Sequence, residues 1–109
     1  MSDIISINPD NQAYLTRDWA ILLFESPWCA GCKNLLDYMK KNSLVDEGID
    51  CLLGKVDIIQ NQPLAQQYNI ISLPTVIVFH KGNPHERFSG TMSEKIFIQK
   101  IKKCIVNDP

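Results

Sequence analysis

The residues of this chain best suited to covalent chemistry lie in one stretch, Trp28-Cys29-Ala30-Gly31-Cys32-Lys33. The reactive form of cysteine is the thiolate, and an unperturbed thiol is mostly protonated at neutral pH. A helix N-terminus favours the anion, because its first N–H groups lack intrahelical partners and the helix dipole is positive there. With Cys29 at such an end, Cys32 sits one turn on, close enough to close a disulfide or to hydrogen-bond the Cys29 sulfur. The pair then reads as a thiol–disulfide exchange site. Cys29 is the exposed attacker, and Cys32 the buried thiol that resolves the mixed disulfide. Two plainer readings are half of a metal site and a pair of small core residues. Trp28 before, Lys33 after and a strand-to-helix junction weigh against both. A structural zinc site would also need a second ligand pair at knuckle spacing.

The elements that must position this pair follow from periodicity. Ala20–Phe24 is apolar on both faces, as a buried central strand requires. A helix is expected from about Cys29 to Glu47, with Cys32, Leu35, Leu36 and Met39 inward, and Gly48 stopping it. Upstream, Asp3–Ile7 alternates as a short edge strand, and Asn8-Pro9 reads as a helix start leading through Leu15. Downstream come a strand over Cys51–Ile59, a short helix over Pro63–Tyr68 and a β-branched strand over Thr75–Phe79. A turn at Lys81–Pro84 and a strand over Glu86–Ser89 make a hairpin. Thr91-x-x-Glu94 suits a capping box for a last helix that buries Phe97, Ile101, Cys104 and Ile105 and exposes four lysines. This alternation implies an α/β fold with parallel pairing first and antiparallel strands last.

Composition narrows the function classes. The 109 residues suit one domain, 45% of them are hydrophobic, and the net charge is −1. No basic excess exists to neutralise phosphates, so nucleic acid is not an expected partner. No apolar run approaches the length that spans a bilayer, and the first residues lack a cationic leader, so no membrane and a cytoplasmic location are expected. No Gly-rich phosphate loop or paired catalytic carboxylates appear, and no organic cofactor or metal is implied. Cys51 and Cys104 are expected to be inert packed thiols, with a regulatory or intermolecular disulfide the sharper alternative for Cys104. His80 and His85 flank the hairpin turn, away from the cysteine pair. Trp19 is expected to pack.

In order and at family spacing, the chain carries Phe24…Trp28-Cys29-x-x-Cys32-Lys33, Lys55-Val56-Asp57, Tyr68…Leu73-Pro74-Thr75, Phe79…Gly82 and Gly90. It thereby resembles the thioredoxin family over nearly its whole length, residues 1–109. The resemblance implies a central mixed sheet of about five strands flanked by four helices. It implies thiol–disulfide oxidoreductase activity on protein disulfide substrates, with reducing equivalents from a thioredoxin-reductase-like electron donor. It also implies a cis Leu73–Pro74 bond and a substrate groove floored by Trp28, Leu73, Pro74 and Gly90. A disulfide oxidase or isomerase, or a thioredoxin-fold subunit whose redox chemistry is incidental, are the alternatives.

Two departures from the family pattern bear on chemistry. Ala30-Gly31 replaces the common Gly-Pro between the cysteines, and this dipeptide helps set the balance of dithiol and disulfide. Leu23 occupies the position of the family's buried acid, leaving Lys55 without its usual partner. Glu25, two residues on and on the same strand face, is the candidate surrogate for proton transfer from Cys32. A solvated residue at a strand end is its plainer reading. Asp37 stands where the family often has a helix-kinking proline.

Overall fold

The computed structural model describes residues 4–41 and 43–106. Five strands form one sheet: β1 (Ile4–Ser6), β2 (Trp19–Glu25), β3 (Leu52–Asp57), β4 (Thr75–His80) and β5 (Asn83–Ser89), in the order β1-β3-β2-β4-β5. β1 and β2 pair with β3 in parallel, whereas β2–β4 and β4–β5 are antiparallel. The helices are α1 (Ala30–Lys40), α2 (Ser43–Asp46), α3 (Gln62–Gln67) and α4 (Glu94–Val106), with a 3-10 helix over Gln12–Thr16.

β2 occupies the centre because both of its faces are apolar and both are covered. On one face Ile21 and Leu23 join Leu35 and Met39 of α1 and Phe97 and Ile101 of α4. On the other, Ala20, Leu22 and Phe24 meet Leu15, Val56, Leu64 and Phe79. Every residue from Ala20 to Phe24 is fully buried. The β4–β5 turn needs positive φ at Lys81 (52°) and Gly82 (87°). Glycine meets that demand without steric cost and matches the right-handed twist of the strands it joins.

Several expectations require correction. The helix expected from Asn8-Pro9 is instead a turn followed by the short 3-10 helix. The Asn8 side chain accepts from the Asp10 and Asn11 N–H groups, and the Asn11 amide donates to the Ser6 carbonyl. Such local side-chain bonds compete with helix formation. The long helix ends at Lys40, with Lys41 extended and its N–H donating to the Asp37 carbonyl. Position 42 lies outside the described residues. Met39 to Leu44 is a step that puts the two side chains about 140° apart on one helix, so both reach the core only if the helix breaks. Gly48 does close the segment, donating to the Val45 carbonyl.

β3 is shorter than expected and β5 longer, with Pro84 tolerated because β5 is an edge. The last helix is capped by Ser93 rather than by Thr91. The Ser93 Oγ accepts from the Ile96 N–H at 3.2 Å, and its carbonyl from Phe97. Cys104 and Ile105 are half-buried rather than fully so. Asp3 of the expected edge strand lies outside the described residues.

Candidate active site

β2 delivers the chain to the cysteine pair at its C-terminal end. A turn closed by the Cys29 N–H on the Ser26 carbonyl leads into α1. Cys29 is the N-cap residue, with extended backbone (φ −92°, ψ 101°), and its sulfur accepts the Cys32 N–H at 3.2 Å. This N–H is one of those a helix start leaves unpaired. Cys29 and Cys32 are joined as a disulfide with Cα atoms 5.3 Å apart. Their environments differ: Cys29 is half-buried, while Cys32 is 1% exposed, its sulfur 3.9 Å from the Phe24 carbonyl oxygen.

Facing the pair is the β4 entry loop. The Leu73–Pro74 bond is cis, Pro74 is buried and Leu73 is half-buried. Gly90, at φ +94°, donates its N–H to the Pro74 carbonyl at 2.9 Å, so a side chain there would be strained whatever the space. Thr75 fixes the same corner through bonds to the Ser72 carbonyl and the Ser89 hydroxyl. Trp28, the residue before Cys29, is 80% exposed.

Two exposed apolar residues here escaped the sequence reading. Ile71 is 96% and Ile59 45% exposed, at the same end of the sheet as Trp28. Each belongs to an Ile-Ile doublet whose other member, Ile58 or Ile70, packs into the core. A doublet advertises burial, and only the fold shows which member faces water.

Leu23 is fully buried and lies in register with Lys55, and Glu25 lies in register with Asp57. These four residues therefore share the sheet face that α1 and α4 cover. Glu25 is half-buried, and burial raises its carboxyl above the usual range. Lys55 and Lys40 oppose that rise and Asp57 adds to it. Asp57 itself accepts from the Ile59 and Gln60 N–H groups.

The other candidates lie elsewhere. Cys51 is half-buried just before β3, its thiol pushed up to about 12 by burial and by Asp50. Cys104 is also raised, by burial and then Glu86, against the pull of Lys100 and Lys103. His80 and His85 are more than turn residues. His80 lies tilted against Trp19 and His85 meets it edge-to-face, with ring centroids 4.2 and 5.2 Å away, at the end of β2 remote from the cysteines. Among the described residues no group of three or more His, Cys, Asp or Glu is placed to hold a metal.

A mixed five-stranded sheet, a Cys-x-x-Cys disulfide at a helix start and a cis-proline facing it define a thioredoxin-fold protein with a vicinal cysteine pair. The thioredoxin family model matches residues 7–103, and the chain belongs to that family. It is similar to protein disulfide-isomerase 1 of Caenorhabditis elegans, 32% identical over 89 residues, which are 80% of this chain and 18% of the worm protein. It is also similar to a thioredoxin of Mycobacterium bovis, 24% identical over 106 residues, 97% of this chain and 83% of that one. The chain thus spans less than a fifth of the isomerase. Among solved structures, the fold matches a single-substitution mutant of thioredoxin from Halobacterium salinarum with a TM-score of 0.81 at 22% identity, covering 100% and 98% of the two chains.

Proposed function

We propose that this protein is a thiol–disulfide oxidoreductase that reduces protein disulfides, with Cys29 as nucleophile and Cys32 as resolving thiol. The observation that carries the reading is the asymmetry within one bonded pair. Cys29 is half-buried and its sulfur accepts a helix N–H, and Cys32 is fully buried a turn behind it. The Cys29 thiolate attacks one sulfur of a substrate disulfide and expels the other as a thiolate. The Cys32 thiolate then attacks the Cys29 sulfur, releases the second substrate thiol and closes the protein disulfide. Two electrons pass from the protein to the substrate.

Trp28, Leu73, Pro74 and Gly90 form the substrate groove, where an extended segment pairs with backbone beside the cis-proline. Glu25 receives the Cys32 proton through water, with Lys55 beside it. Its raised pKa, half-buried carboxyl and shared face with Leu23 support that role. The chain works as one domain in electron transfer and cell redox homeostasis, recycled by a thioredoxin-reductase-like donor. A cytoplasmic setting agrees with Cys51 and Cys104 both being free thiols.

A disulfide isomerase or oxidase is the second reading. The similarity to a protein disulfide-isomerase favours it, and Ala30-Gly31 between the cysteines leaves the balance of dithiol and disulfide open. Insulin reduction by dithiothreitol tests the common chemistry: the wild type accelerates it and Cys29→Ser does not. An equally active Cys29→Ser variant overturns both readings. The Cys29–Cys32 equilibrium against glutathione then separates reductant from oxidant.

A further inference from the structure

Gly31 lies within the first turn of α1, where a glycine weakens the helix relative to alanine. Its backbone does not call for one, because the glycines with positive φ are Gly48, Gly82 and Gly90. The reason lies outside the helix. A Cβ built on Gly31 would overlap the Cγ2 methyl of Thr91, with Pro74 Cδ at an ordinary 3.6 Å. Thr91 therefore fills the space in which a side chain between the cysteines would begin.

Thr91 is held there from both sides. Gly90 donates its N–H to the Pro74 carbonyl at 2.9 Å. The Tyr38 hydroxyl of α1 donates to the Met92 carbonyl at 3.1 Å. The loop from β5 to α4 is thus tied to the cis-proline before Thr91 and to the cysteine-bearing helix after it. Thr91 is exposed, but only one of its three staggered χ1 settings aims neither branch at residue 31.

We propose that Thr91 is a positioning residue of the redox pair. Its methyl, packed on the Gly31 backbone, braces the Cys29–Cys32 turn against Pro74 and so sets how readily the two sulfurs close. This rests on the oxidoreductase reading, which supplies the exchange chemistry. Residues 31 and 91 act as one unit: the brace is present only while 31 is small and 91 carries a methyl. Without it the reduced turn gains freedom, and the effective concentration of one thiol for the other falls. The disulfide then becomes easier to reduce.

The test is the equilibrium of the Cys29–Cys32 couple in glutathione buffers, with denaturant unfolding showing that each variant is folded. Thr91→Ala and Thr91→Ser, which lack the methyl, should lower the oxidised-to-reduced ratio about threefold or more, while Thr91→Val restores it. Gly31→Ala should shift the ratio in the Thr91 background and much less beside Thr91→Ala. Should Gly31→Ala fail to fold, the serine and valine variants carry the test alone. A wild-type ratio in Thr91→Ala and Thr91→Ser, or an equal Gly31→Ala shift in both backgrounds, overturns the inference and leaves the oxidoreductase reading standing. A wild-type protein that never closes its disulfide in these buffers overturns that reading, and the inference with it.

Discussion

Leu23 and Lys55 stand opposite each other in the parallel ladder of β2 and β3, a fully buried leucine beside a half-buried lysine. The family pattern has an acid where Leu23 stands. In this chain the nearest carboxyl that Lys55 influences from β2 is Glu25. Leu23→Asp removes packing shared with Leu35 and Phe97 and buries a charge that Lys55 only partly offsets. The unfolding free energy should fall by about 2–5 kcal/mol in urea. Resolution of the mixed disulfide should nevertheless quicken near neutral pH in stopped-flow measurements. An unchanged rate would mean that no proton from Cys32 is taken up at position 23.

Glu25→Gln tests the surrogate acid. Burial raises the folded-state pKa, so ionisation costs the folded protein more than the unfolded one. That contribution to stability is fully present below the ordinary glutamate range and is lost as pH rises through the raised folded value. The variant should therefore be the more stable protein at neutral pH, by less than about 1 kcal/mol because the carboxyl is partly solvated. The difference should vanish in acid. In kinetics, the pH inflection of the resolution step should disappear, and an unaltered profile would remove Glu25 from the proton path.

Alkylation of the reduced protein should rank the thiols. Cys29 reacts first, since its sulfur accepts a helix N–H that favours the thiolate. Cys51, at about 12, should stay unmodified at mildly alkaline pH, and Cys104 should react slowly. Mass spectrometry of iodoacetamide-labelled peptides over time reads this order. Labelling of Cys51 ahead of Cys29 would contradict the assignment of roles.

Ile71 offers a way to separate docking from chemistry. Almost wholly exposed two residues before Leu73, it contributes little to folding, and Ile71→Ser should change stability by no more than about 0.5 kcal/mol. The KM for insulin should rise severalfold with kcat nearly constant, while exchange with glutathione disulfide is unaffected. Equal effects on both substrates would exclude an apolar contact with protein substrates.

The redox motif was legible because its parts are adjacent in sequence. An apolar strand followed at once by Trp-Cys-x-x-Cys sets the pair at a helix start by local geometry alone. The two-faced burial of β2 was equally plain, since five successive apolar residues leave a strand no solvent face. The segment after Asn8-Pro9 is not a full helix because Asn8 and Asn11 hold the backbone by side-chain bonds that periodicity does not register. The break after Lys40 did leave a trace, the out-of-phase step from Met39 to Leu44. The cap on α4 fell to Ser93 because only the path of the loop decides which hydroxyl meets the helix start.

Taken by itself, the chain of residues determined the succession of the five strands, the place of the cysteine pair and the absence of an acid at position 23. These are properties of neighbours, written in spacing and polarity. Tertiary structure alone decided that Lys55 stands beside Leu23, that Ile71 rather than Ile70 faces water, and that the methyl of Thr91 rests on Gly31. Each joins segments far apart in the chain, and such contacts are chosen by register and packing, which no local pattern encodes.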